Sequence, residues 1–246
     1  MKREEFLKKS LSGLGMFSIL PLMSACEKAN ISTDTTETTS DVTGSTNGSS
    51  ASDCSVTNSE TEGPFPIKDP ASLVKADIAG DRSGVKLTVN LTIKNKNANC
   101  NAVENLLVDI WHCDAKGEYS EYGGTGMQST NWTAAHWLRG RQTTDANGLA
   151  DFTSIFPGWY SGRAPHIHVH IFTAAGKSLL VTQIAFPKTV CDTVYTTATD
   201  YKSHGTQNTT NEKDNVFSDG YANELCSISG NNTDGYILNH TIVVSA

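Results

Sequence analysis

The sequence has no excess of basic residues. Its 246 residues include 19 Lys and Arg against 26 Asp and Glu, a formal charge of -7. That balance argues against a nucleic-acid binder, which would carry a basic footprint. Charged residues are sparse, at 18%, which excludes a coiled coil and a highly charged disordered chain. Six cysteines are too few to make the fold a disulfide scaffold. There is no internal repeat and no convincing long amphipathic helix. The apolar stretch at the N-terminus falls short of the roughly 20 residues that a membrane span needs. What is present is enough chain to bury a proper core, as one large domain or two small ones.

The N-terminus reads as an address. Lys2, Arg3, Lys8 and Lys9 make a basic start, Leu11 to Leu22 is largely apolar, and Met23-Ser24-Ala25-Cys26 places small residues before a cysteine. Residues 1–26 therefore have the layout of a secretory signal peptide. The ending resembles a bacterial lipobox, with Met23 where leucine is usual. That resemblance implies that Cys26 is lipidated and becomes the mature N-terminus. Removing residues 1–25 takes away four basic and two acidic residues, leaving 15 basic and 24 acidic, a formal -9. Residues 27–53 are mainly Ser, Thr, Asn, Gly and Asp, with no aromatic residue and only Ile31 and Val42 as aliphatics larger than alanine. Such a stretch buries too little to offset its ordering entropy and reads as a disordered tether. The expected product is exported and held by a lipid anchor in a bacterial cell envelope, periplasmic or surface-facing, with its folded domain over residues 54–246.

From Cys54 the texture changes to β. Val85, Leu87, Val89, Leu91 and Ile93 alternate with polar residues, the period of a half-buried strand. Leu106 to Trp111, His166 to Phe172, Leu179 to Phe186 and Tyr236 to Val244 are further candidates. Gln142-Thr143-Thr144 and Leu149 to Phe152 flank the turn tetrad Asp145-Ala146-Asn147-Gly148 and read as a hairpin. Short strands and turn residues predict an all-β fold, a sandwich or barrel, with long irregular loops over residues 113–140 and 187–235.

The segment Arg163-Ala164-Pro165-His166-Ile167-His168-Val169-His170-Ile171-Phe172 is the most informative. Successive side chains on a strand face opposite sides. Ile167, Val169 and Ile171 share one face, and the three histidines share the other. Two imidazoles at i and i+2 are close enough to hold one metal ion; the bland reading is a solvent-facing polar row. A site of two histidines lacks negative charge, and tyrosinate would supply it. A phenolate is a hard anionic donor suited to Fe(III) rather than to Zn or Cu(I).

The segments Thr61-Glu62-Gly63-Pro64-Phe65, Asp109-Ile110-Trp111 through Gly117-Glu118-Tyr119, Thr144 to Gly148, Pro157-Gly158-Trp159-Tyr160 and His166-Ile167-His168 together resemble the intradiol ring-cleavage dioxygenases. They stand in that family's order over roughly residues 54–186, and the core is more similar to the protocatechuate 3,4-dioxygenase type than to the catechol 1,2-dioxygenase type. The resemblance implies a β-sandwich and a non-haem Fe(III) bound by Tyr119, Tyr160, His166 and His168. Tyr119 matches the tyrosinate that stays bound, and Tyr160 matches the one that substrate displaces. Arg163 matches the arginine that stabilises the electron-rich substrate, and Gln183 matches a glutamine behind the ligands. The implied reaction uses O2 to cleave a catechol between its two hydroxylated carbons, giving a cis,cis-muconate-type diacid without an external reductant. Only Ser161 and Gly162 separate Tyr160 from Arg163, where the protocatechuate enzymes carry a longer insert, so the pocket wall differs there and the particular catechol stays open.

Among the remaining residues, His170 is expected at the pocket rim or surface, and His112 and Tyr122 are expected to be structural, with pocket lining as the alternative. Cys191 and Cys226 bracket the second long loop and are expected to pair, with buried free thiols as the alternative. Two other functions are weighed against the dioxygenase. One is a non-catalytic, lipid-tethered β-sandwich that binds a catechol or a metal. The other is a Zn or Cu enzyme using His166, His168 and His170, which leaves both tyrosine motifs unexplained. The complete set of two tyrosines, two histidines and Arg163 favours the enzyme.

Overall fold

A computed structural model of the chain describes residues 54–246. The expected signal peptide with Cys26, and the expected tether, lie outside the described residues. Among the described residues the strands in chain order are β1 (Lys86–Asn95), β2 (Asn101–Ala102), β3 (Leu107–Trp111), β4 (Arg139–Thr143), β5 (Leu149–Ile155), β6 (His166–Phe172), β7 (Ser178–Ala185), β8 (Ser227–Asn231) and β9 (Gly235–Val244), with one helix, α1 (Lys188–Thr197), after β7. No helix among the described residues is long and apolar enough to cross a membrane.

The alternation in β1 does what it predicts. Leu87, Val89, Leu91 and Ile93 are fully buried, while the residues between them are partly or fully exposed. β1 pairs antiparallel with β5 and, at its end, with β2; on its other side it runs parallel to β9, which pairs with β8. The second sheet has the order β4-β3-β6-β7 and is antiparallel throughout. Val108, Ile110, Ile167, Val169, Ile171 and Ile184 from this sheet meet Leu87, Val89, Leu91, Phe152, Leu238 and Ile242 from the first in one apolar core. Each such side chain contributes about 1.5–3 kcal/mol on burial. The layer therefore fixes which way every strand faces, and the chain is a β-sandwich.

Alternation also dictates the other face of the second sheet. Arg139, Trp111, His168 and Gln183 fall in one row across it, because Trp111 is in register with both Arg139 and His168, and His168 with Gln183. Loop 112–138 and the segment 57–68 cover this face. Phe65 O and Ser120 O accept hydrogen bonds from Arg139, and Thr61 O accepts one from Gln183. Polar residues that alternation would leave in water are thereby buried.

Three expectations are corrected. The runs on either side of Asp145–Gly148 do not form a hairpin: β4 pairs with β3 and β5 pairs with β1, so the turn carries the chain from one sheet to the other. Asp145 Oδ1 accepts from the N–H groups of Asn147 and Leu149 at 2.8 Å, which sets the reversal but not the strands' partners. Part of the expected loop 187–235 is the helix α1. Its Thr and Val content hides it, but Cys191, Val194 and Tyr195 face the core at helical spacing. Thr193, Thr196 and Thr197 satisfy their hydroxyls on carbonyls one turn back. Finally, Cys191 and Cys226 are both buried free thiols in the apolar core, and the disulfide joins Cys54 to Cys100.

Candidate metal centre

Two irregular segments deliver the tyrosines, and they cross at glycines. A Cβ on Gly117, whose φ is +84°, would lie 2.2 Å from Trp159 O. A Cβ on Gly158 would lie 2.3 Å from Asp114 O, the carbonyl that accepts the Gly158 N–H at 3.1 Å. The segments pack backbone against backbone because neither crossing residue has a side chain. The Tyr119 and Tyr160 rings consequently meet edge to face, with centroids 5.8 Å apart. Gln128 pins Tyr119 from both sides: its Oε1 accepts the Tyr119 N–H at 2.7 Å, and its Nε2 donates to Tyr119 O at 2.8 Å.

β6 delivers the imidazoles. His166 and His168 are buried, and their Nε2 atoms stand 3.1 Å apart. His166 Nδ1 lies 2.6 Å from Ala164 O, which places the proton on Nδ1 and leaves the Nε2 lone pair facing the site. Tyr160 Oη lies 3.4 Å from that same Nε2. Tyr119 Oη is buried without a hydrogen-bond partner. Burial, reinforced by the nearby Arg163 charge, holds His166 well below the usual imidazole range. Burial, with the charge of His166 next, does the same to His168. Burial and then Tyr160 push the Tyr119 phenol well up, and burial pushes Tyr160 up against the opposing pull of Arg163.

The donor chemistry fits the expected iron. Two neutral imidazole nitrogens face each other, and a buried phenol oxygen has nothing to bond. A cation among them would use the lone pairs and supply the charge that buried phenols need to ionise. Among the described residues no group of three or more His, Cys, Asp or Glu is arranged to hold a metal. Hard phenolate oxygens with two imidazoles suit a hard trivalent ion. Tyr119, Tyr160, His166 and His168 are the residues able to hold it.

Arg163 and Gln183 join the same site. Arg163 Nη1 lies 3.4 Å from Tyr160 Oη, and Nη2 donates to Gln183 Oε1. Gln183 is fully buried and its Nε2 donates to Thr61 O at 2.9 Å. His170 points elsewhere, with Nδ1 2.9 Å from Glu62 Oε1 and Nε2 2.8 Å from Ser178 Oγ. That removes it from a three-histidine site. His112 is buried between Cys113 O and Ser154 Oγ, and the partly buried Tyr122 donates to Pro66 O.

Sequence reasoning missed three residues that hold the site. Gln128 brackets Tyr119. Trp111 lies parallel against the His168 ring. Asp214, buried, accepts from Arg163 Nε at 2.9 Å. Only Trp111 stood in a segment quoted for the resemblance; no spacing pattern announces the other two.

The comparisons with known proteins agree with this geometry. A family profile described as "Dioxygenase" matches residues 67–214. An intradiol ring-cleavage dioxygenase from Tetranychus urticae is similar in structure, with 27% identity, a TM-score of 0.70 and coverage of 78% of this chain and 95% of that one. The dioxygenase domain of a dioxygenase carbohydrate-binding protein fusion from Streptomyces sp. SirexAA-E is similar at 25% identity and TM-score 0.56, over 78% of this chain and 99% of that one. The 3-chlorocatechol 1,2-dioxygenase of Rhodococcus opacus 1CP, at 20% identity and TM-score 0.52 over 77% and 72% of the two chains, shares the fold. No curated protein matches the chain.

Proposed function

The chain belongs to the intradiol ring-cleavage dioxygenases, and from that membership we propose that it is a non-haem Fe(III) enzyme that uses O2 to split a catechol between its hydroxylated carbons, giving a cis,cis-muconate-type diacid. The observation that carries the reading is the convergence of Tyr119, Tyr160, His166 and His168 with Arg163 at hydrogen-bond distance from Tyr160 Oη. A non-catalytic binding module has no use for all five.

An iron held by Tyr119, Tyr160, His166 and His168 would supply Lewis acidity toward a catechol's two oxygens. The residues divide the remaining work by burial. Tyr119 is fully buried and bracketed by Gln128, so it stays in place. Tyr160 is partly exposed and hydrogen-bonded to Arg163. As a tyrosinate its Oη would take a proton from an incoming catechol hydroxyl, and the ring would swing aside. His166 and His168 remain neutral and keep their lone pairs available. Arg163, fixed by Gln183, would offset negative charge that builds up on the substrate. Loop 112–138 and segment 57–68 keep bulk water off the face.

We also place the enzyme outside the cytoplasm, on a lipid-modified Cys26. The N-terminal layout supports this, and the Cys54–Cys100 disulfide suits an oxidising compartment. The purified, iron-loaded protein is expected to be burgundy from tyrosinate-to-Fe(III) charge transfer, to shift that band on anaerobic addition of catechol, and to consume O2 with one or more of a panel of catechols. A well-folded protein that stays colourless with iron and consumes no O2 would sink the proposal.

A further inference from the structure

The geometry points to Asp214 as the positioning residue for Arg163, a role that rests on the reading that Arg163 offsets charge on the substrate. Asp214 lies 51 residues beyond Arg163, in the irregular stretch between α1 and β8. Its side chain has no solvent exposure. Both carboxylate oxygens accept from Arg163 Nε, at 3.0 and 2.9 Å. Oδ2 also accepts the Ala164 N–H at 2.7 Å, and Oδ1 the Val216 N–H at 3.0 Å. Backbone donors on two separate segments thus fix the carboxylate before it acts on the arginine.

The choice of nitrogen matters. Asp214 takes the single N–H at the inner end of the guanidinium and leaves both terminal amino groups free. One of these faces Tyr160 Oη and the other Gln183 Oε1. A guanidinium held at Nε and at one Nη cannot rotate about its own bonds, so the remaining Nη is aimed at the reacting centre. The same carboxylate fixes Ala164, whose carbonyl orients His166 through Nδ1. Asp214 therefore governs the direction of a charge and the seat of a ligand without touching either substrate or metal. A merely structural buried ion pair would stabilise the fold and leave the aim of Arg163 immaterial.

The test uses the full chain with Asp214→Asn, Asp214→Glu, Arg163→Gln and the double variant Arg163→Gln/Asp214→Asn. In iron-loaded enzyme, Asp214→Asn is expected to lose about 10- to 100-fold in kcat with little change in KM, because misaiming costs the reaction more than binding. Asp214→Glu keeps the charge but moves it by a methylene, and is expected not to recover kcat. The double variant is expected to be no slower than Arg163→Gln alone, since Asp214 aims Arg163 and an asparagine oxygen at 214 still accepts the Ala164 N–H. A second readout needs neither iron nor turnover: the rate at which phenylglyoxal modifies Arg163 in metal-free protein, followed by peptide mass spectrometry. It is expected to rise several-fold in Asp214→Asn. Native kcat in Asp214→Asn, or losses that multiply in the double variant, would overturn the role. If Asp214→Asn fails to fold, Asp214→Glu carries the labelling comparison in its place. If the native enzyme cleaves no catechol, the functional reading fails by itself, and the labelling rates still decide the positioning: equal rates in native and variant protein overturn it.

Discussion

The His168 imidazole lies flat against the Trp111 indole, with ring centroids 4.8 Å apart and planes within 3° of parallel. The two residues are in register between β3 and β6, so the stack is set by strand pairing. It stands in for something missing. His166 is oriented by a hydrogen bond from Nδ1, whereas Nδ1 of His168 is buried without a partner. One imidazole is held by a polar contact and the other by a flat surface, with Gly63 so close to His168 Cε1 that a Cβ there would come within 3.0 Å.

Trp111→Leu should therefore loosen His168 selectively. Iron affinity is expected to fall about 10- to 100-fold, the usual cost of losing an orienting neighbour. Stability should fall by about 2–4 kcal/mol for the lost buried ring. Trp111→Phe, which retains a flat face, should recover most of the affinity. Chelator competition together with urea unfolding separates the two effects. An unchanged iron affinity in Trp111→Leu would show that the stack is packing alone.

The glycine crossing predicts a different failure. In Gly117→Ala the new methyl meets Trp159 O, and the residue must hold φ at +84°. Relief requires the Tyr119 and Tyr160 segments to separate. The cost is expected to be at least about 1–3 kcal/mol, and the iron-loaded variant should lose the tyrosinate charge-transfer band even where it remains folded. Denaturant unfolding and visible absorption check this. A variant with native colour would mean that the segments tolerate the separation.

Residues whose role follows from local order were legible in the sequence. Strict alternation exposed β1 and the two faces of β6, and the order of the motifs pointed to Tyr119, Tyr160, His166, His168, Arg163 and Gln183, which the fold brings together. What escaped depends on contacts between distant segments. A turn tetrad shows that the chain reverses at Asp145 but not that β4 and β5 join different sheets. α1 is written in Thr and Val, which favour strands, and its amphipathic face shows only at Cys191, Val194 and Tyr195. Asp214 and Gln128 are ordinary polar residues in loops, and only the folded chain brings them against Arg163 and Tyr119. The cysteine pairing failed for the same reason, since bracketing a loop says nothing about distance in space.

Reactivity of the thiols tests that corrected pairing. Cys113, Cys191 and Cys226 are buried, and burial pushes all three thiols up, Cys226 to about 12. Alkylation of the native protein followed by peptide mapping should leave these three unmodified, and denaturation without reductant should expose them while Cys54 and Cys100 stay linked. Replacing Cys54 and Cys100 by serine should lower stability by about 2–4 kcal/mol and leave the iron site intact. A peptide linking Cys191 to Cys226 would reverse the assignment.

The outer edge of β7, where Glu60 and the Glu224 segment hydrogen-bond to it, carries a pH dependence of its own. Glu224 has no solvent exposure; its Oε1 lies 3.1 Å from Thr182 Oγ1, and its Oε2 has no partner. Burial, and then the charge of Glu60, raises its carboxyl to about 8 from an ordinary 4.5. Burial, and then Asp219, raises Glu60 to about 7. Both groups keep in the folded state a proton that the unfolded chain releases near 4.5. Their contribution is therefore fully present below that pH and is lost as pH rises through about 7 and then 8. Stability should fall across that window, and Glu224→Gln, which has nothing to ionise, should flatten the fall and gain on the order of 1–3 kcal/mol above pH 8 relative to the native chain. Urea midpoints for both proteins at pH 5.5 and 8.5 measure it. Curves that run parallel would mean that Glu224 ionises freely in the folded state.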